Sequence, residues 1–153
     1  MNLVRFIKNS SAFGSFADVD IEALASSMEV IEFPPDHVLI SQGVPGSALY
    51  MLVSGTVKVS KMNRKGEQLD LKVLQAGEMF GLLSLLDNMS AAATCTTIGP
   101  VTVACIHREK YKALDIENRS VGFTLRFVLA SQLARDLHSS NRLALADQHA
   151  AAE

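Results

Sequence analysis

Three glycines at an interval of eleven residues, Gly55, Gly66 and Gly77, confine the middle of this chain to an architecture of short strands. The stretches between them alternate. Val57 and Val59 oppose Lys58 and Ser60, and Leu69, Leu71 and Val73 oppose Asp70 and Lys72, which is the two-residue period of a β-strand whose side chains point to opposite faces. Period two with regularly spaced turn signals reads as antiparallel β structure. Asn63-Arg64-Lys65-Gly66 closes the first pair as a turn, its glycine suited to a positive φ that other residues avoid. Further on, Gly99-Pro100 reads as a turn leading into Val101-Thr102-Val103-Ala104-Cys105-Ile106, a largely buried strand.

Enough short strands fall between residues 29 and 107 to close a double-stranded β-helix, or jelly-roll barrel, a closure that removes or shortens exposed strand edges. The fold class is therefore mainly β with flanking helices. Asp18 is expected to cap a helix over Val19 to Met28, and Glu109 to Asp115 is short and helical in composition. A long C-terminal helix is expected over about 118–146, because Val121 to Ala146 holds no proline and no glycine after Gly122. Within it Leu125, Leu129, Leu133 and Leu137 fall at a spacing of four and form one ridge. Phe123, Phe127 and Val128 widen the apolar surface beyond that ridge, enough to meet both the barrel and a partner. Leu125, Val128, Leu129 and Leu133 are the residues expected to face a second copy in a homodimer.

At 153 residues the chain is expected to form one domain spanning 1–153. Apolar residues make up 48% and charged residues 20%, which argues against disorder, and no apolar run reaches the ~18 to 20 residues that span a bilayer. Met1 to Lys8 is too short and too interrupted by charge for a signal peptide, so no membrane partner and a cytoplasmic location are expected. A net charge of −2 carries no footprint for nucleic acid. Cys95 and Cys105 sit in strand-like segments, where buried thiols act as small apolar fillers.

No enzyme chemistry assembles from this sequence. Cys105 and His107 share a strand face, but zinc needs three or four ligands and no second pair lies at a matching spacing, so no metal and no cofactor are expected. Ser84 lacks a nucleophile elbow, and Asp87 beside Asn88 reads as a loop residue. Tyr50, Phe33 and Met51 read as packing residues, and His37, His138 and His149 as solvent-facing or terminal.

The segment Gly77-Glu78-Met79-Phe80-Gly81-Leu82-Leu83-Ser84-Leu85-Leu86-Asp87-Asn88-Met89-Ser90-Ala91-Ala92-Ala93-Thr94 resembles the phosphate-binding cassette of the cyclic-nucleotide-binding domain family, the sensor domain of catabolite-activator-like proteins. In that family a Phe-Gly-Glu-Leu-Ala-Leu run is followed after a short loop by Arg-Ala-Ala-Thr. Glu32 to Gly43 is similar to the strand that opens the family's barrel, and Ser47 to Val59 to the hairpin that follows, so the likeness covers roughly Phe13 to Leu137. The resemblance implies ligand-binding positions at Phe80, Gly81, Leu82, Leu83, Ser84, Ser90, Ala91 and Ala92. It also implies a helix that pairs or moves in response to ligand.

The cassette is degenerate. The family's glutamate, which bonds the ribose 2′-hydroxyl, is replaced by Leu82, and its arginine, which grips the cyclic phosphate, by Ala91. Charge-assisted hydrogen bonds contribute about 1.5 to 3 kcal/mol each, so losing two weakens binding by roughly 10²- to 10⁴-fold. The family's DNA-reading unit is also expected to be absent, since the chain ends at Glu153 shortly after the long helix. The sequence therefore predicts a stand-alone regulatory or adaptor module that does not bind cyclic AMP in the usual way and acts through a protein partner. One alternative is a sensor of another nucleotide, such as cyclic GMP or cyclic di-GMP, or of a small anion held by cassette amides. Ser84, Ser90, Thr94, Arg126 and Arg135 are candidate contacts for it. Another is a purely structural protein-interaction subunit.

Overall fold

Two strands carry the architecture because their alternation serves two different cores. β3 (Ala48–Met62) and β6 (Thr94–His107) pair antiparallel along most of their length. Leu49, Met51, Ala104 and Ile106 point from them into one apolar cluster. Their neighbours Leu52, Val57, Val101 and Val103 point into another, as a period of two requires.

The computed structural model describes the backbone of residues 1–85 and 89–152 and the side chains of residues 1–85 and 89–138. The expectations for Asp87, Asn88 and His149 lie outside the described residues. Around the central pair, β1 (Glu29–Phe33) and β2 (Val38–Ile40) both pair with β6, while β4 (Gln68–Leu74) and β5 (Met79–Phe80) both pair with β3, every pairing antiparallel. The pairing shifts register between Leu52 and Thr56, where β3 bends at Gly55. Gly55 has φ +90°, and a Cβ there would lie 2.6 Å from the Pro100 carbonyl oxygen, so only glycine fits.

Helices α1 (Leu3–Asn9), α2 (Asp18–Ser26) and α3 (Arg108–Glu117) and the start of α4 (Arg119–Ala152) enclose the first cluster. The expected capping role of Asp18 is not observed. Ala17 occupies the cap position, α2 begins at Asp18, and the Asp18 carboxylate lies 3.1 Å from the Lys8 ammonium. Asp20 anchors α2 instead by accepting a hydrogen bond from the Ser120 hydroxyl at 3.1 Å. α4 runs on to Ala152, beyond the expected end near 146.

The leucine ridge of α4 is shared between two surroundings. A step of four residues advances about 400° around a helix, so such a ridge drifts about 40° per step. Leu125 and Leu129 are 1% and 8% exposed in the helix-side core, Leu133 is partly buried, and Leu137 is 63% exposed. Val128 is buried in the same core. Leu125, Val128 and Leu129 are thus covered by their own chain and not free for a second copy, which corrects the expected dimer face.

β4 settles a phase that alternation leaves open. Leu69, Leu71 and Val73 are exposed, and Leu74 is buried in the barrel core. Lys72 shares the phase of Leu74, since alternate residues of a strand point to the same face.

Candidate functional site

The barrel interior is not filled at one end. A cavity of about 320 Å³ opens there, lined by β4, β5, the 3-10 turn Leu82–Leu85, the return arm Ala91 to Ala93, and the part of α4 from Leu133 to Leu137. Of the expected ligand-binding positions, Phe80, Gly81, Leu82, Leu83, Ser84, Ala91 and Ala92 line it. Ser90 does not, since it forms an isolated bridge with Pro45 and is exposed. Met89 is exposed and leaves the cavity open.

Local chemistry explains the shape of the cassette. Gly81 has φ +81°, and a Cβ there would lie 2.9 Å from both the Ala48 carbonyl oxygen and Ile40 Cδ1. Only glycine lets the chain turn this close to β3. Phe80 stacks on Tyr50 with ring centroids 5.1 Å apart. Arg108 clamps the turn from outside: its Nε donates to the Ser84 carbonyl at 2.7 Å and its Nη2 to the Gly46 carbonyl at 2.6 Å. The return arm is held by the loop before β3, where the Gly43 amide donates to the Ala91 carbonyl and the Ala91 amide to the Val44 carbonyl.

The polar character of the cavity is sparse. Leu82 is 8% exposed and apolar at the position where the family resemblance places a carboxylate. Among the described residues the charged groups lining the cavity are Lys72 and Asp136, whose side chains pair at 3.5 Å across its mouth. Burial pushes the Cys95 thiol up to about 11, with the Lys72 ammonium opposing the shift. The candidate anion contacts from the sequence have other partners. Arg126 pairs with Asp115, Arg135 donates to Gln132, and Thr94 Oγ1 accepts from the Gln42 amide.

Sequence reasoning missed Lys72 and Arg108. Lys72 carries a faint signal, since it is in phase with Leu74; Arg108 carries none, because its acceptors are backbone carbonyls distant in sequence.

A model of the cyclic nucleotide-binding domain matches residues 30–117, the span from β1 through α3. The chain belongs to the cyclic nucleotide-binding domain family. Within this family it is 30% identical over 124 residues to the CRP-like cAMP-activated global transcriptional regulator of Mycobacterium tuberculosis, an overlap of 81% of this chain and 54% of that protein. The chain thus spans about half the length of that relative. A crystallised cyclic nucleotide-binding domain from Methylobacillus flagellatus matches with a TM-score of 0.79 and 25% identity, covering 93% of this chain and 80% of that one. The fold is shared as well by the regulatory subunit of a cAMP-independent protein kinase A from Trypanosoma cruzi bound to guanosine, with a TM-score of 0.74, 22% identity, and coverage of 94% and 49%. Among the described residues of this family member, no helix is long and apolar enough to cross a membrane.

Proposed function

We propose that this chain is a regulatory module whose cavity does not take cyclic AMP in the family's usual way, and whose output passes to a protein partner. The observation that carries this reading is the cavity wall itself. Leu82 and Ala91 line it, and the nearby cation, Lys72, is already paired with Asp136. A cyclic phosphate entering this site loses water and meets no unpaired guanidinium, and a ribose hydroxyl facing Leu82 is left without an acceptor at a cost of about 1 to 3 kcal/mol. Isothermal titration with cyclic AMP, cyclic GMP and cyclic di-GMP tests the reading, with no saturable micromolar isotherm for cyclic AMP as the expected result. A clean 1:1 micromolar isotherm overturns it.

A second reading, that the cavity senses a different small molecule, is favoured by one observation: the space persists at about 320 Å³ instead of being filled by Leu82 or Met89. That volume falls at the lower end of ordinary ligand sites. The Ser84 and Ala91 amides are both bonded internally, which favours an uncharged, largely apolar ligand over an anion. An uncharged apolar probe, N-phenyl-1-naphthylamine, tests this reading by fluorescence titration, with saturable 1:1 binding as the expected result and no saturable binding overturning it.

The module pairs with a second copy through the outer stripe of α4. Phe123 and Phe127 are 70% and 67% exposed, and Ala130, Ala134 and Leu137 continue the line at spacings of three and four. That is the seam of a two-helix coiled coil, self-complementary about a twofold axis. Light scattering is expected to show a dimer in the wild type and a monomer in Phe123→Glu/Phe127→Glu.

A further inference from the structure

We propose that Glu29, Cys105 and His107, none of which lines the cavity described above, form a zinc site where β1 meets the end of β6. The topology supplies the ligand that spacing alone leaves missing. Cys105 and His107 share a face of β6, and β1 places Glu29 directly across from Cys105 in the antiparallel register. The Cys105 Sγ lies 3.9 Å from His107 Nε2, and His107 Nε2 lies 3.7 Å from Glu29 Oε2. All three donor atoms fall within 4.8 Å of one another.

These separations are close to what a metal requires. A tetrahedral zinc with ordinary bond lengths holds sulfur and imidazole nitrogen about 3.5 Å apart and nitrogen and carboxylate oxygen about 3.3 Å apart. The two pairs that involve His107 therefore close by a few tenths of an ångström, and the Cys105–Glu29 pair, within 4.8 Å, closes by up to about 1.2 Å, a distance that rotation of the exposed Glu29 side chain covers. The donor set also selects the ion. Thiolate and imidazole favour zinc over magnesium or calcium, and three protein ligands leave one position for water. Cys105 is buried whereas the Glu29 and His107 side chains are 67% and 43% exposed, so the ion is gripped from the barrel side and open to solvent on the other. Binding releases the thiol proton to solvent.

The site fastens the first barrel strand to the last at the point where β6 passes into α3. The next residue is Arg108, whose guanidinium holds the Ser84 and Gly46 carbonyls of the cassette. An ion on His107 thus sits one residue from the clamp on the cavity.

Titration of the reduced, metal-free full chain with cobalt(II) tests the assignment by absorption. The expected result is a thiolate-to-cobalt charge-transfer band that saturates at one ion per chain and is erased by added zinc. Cys105→Ala is expected to abolish the band, and Cys95→Ala to leave it intact. Glu29→Gln is expected to keep the band and weaken cobalt binding by at least about 10- to 100-fold, the loss usual for removing even an outer-sphere partner. No band in the wild type, a band that survives Cys105→Ala, or one lost in Cys95→Ala overturns the proposal. If Cys105→Ala does not fold, Glu29→Gln decides alone, because its side chain is exposed, and unchanged affinity there overturns the proposal too.

Discussion

The two cores of this molecule are built from the same two strands and differ in how they meet the cavity: the helix-side core is sealed except where Met79, Leu82 and Leu133 reach it, and the barrel core lines much of the rest of its wall. On the helix side Ile7, Ile106 and Val121 are fully buried, and four helices close the surface over them. Inside the barrel Leu52, Val57 and Val103 are equally buried, yet Ile40, Val59 and Cys95 form the wall of a cavity. The sealed core holds the fold together. The open one places folding and binding in a single set of side chains, so substitutions in the two regions have different consequences.

The largest expected effect comes from introducing, at the open end, the two contacts whose lack the proposed function rests on. The pair Leu82→Glu and Ala91→Arg is expected to raise affinity for cyclic AMP by roughly 10²- to 10⁴-fold, read by calorimetry. If affinity does not move, the wall residues are not what limits binding and the contrast between the cores fails. Next in size, Ile106→Ala removes buried methylene groups from the sealed core and is expected to cost about 2 to 5 kcal/mol in urea denaturation. It should leave the ligand profile of the folded protein unchanged. A shift in ligand preference would mean that the two cores are coupled through β6.

Gly81→Ala probes the boundary between them. The backbone conformation costs about 1 to 2 kcal/mol with a side chain present, before the contacts with Ala48 and Ile40 are counted. Stability and any ligand binding are expected to fall together. The smallest effect is at the mouth, where Asp136→Asn frees Lys72. An ion pair this exposed contributes up to about 1 kcal/mol, so affinity for an anionic ligand should rise by no more than about fivefold.

Sequence legibility followed the same division. Glycine spacing and alternation were sufficient for β3, β4 and the cassette, because turns and strand faces are local properties. Which face of β4 is covered was not legible. Alternation is symmetric, and only the surrounding strands decide that Lys72 and Leu74 turn inward. The spacing of four in α4 marked a helix, but its slow drift around the axis carries Leu125 into the core and Leu137 into solvent. Seven of the expected ligand positions line the cavity because the cassette is nearly contiguous in sequence. Glu29 and Arg108 escaped notice for the opposite reason: each meets partners that only strand pairing or tertiary packing brings near.

The pairing scheme also fixes an order in time. Among the described residues β1 and β2 hydrogen-bond to β6 and to no other strand. As the chain leaves the ribosome, residues 29 to 40 must wait, with open strand edges, until His107 has emerged to complete β6. β3, β4 and β5 lie between them in sequence and can pair among themselves sooner. During synthesis the molecule therefore passes through a stage in which a hairpin is formed while its earliest strands remain exposed, the interval in which such edges are most open to chaperones or to neighbouring chains.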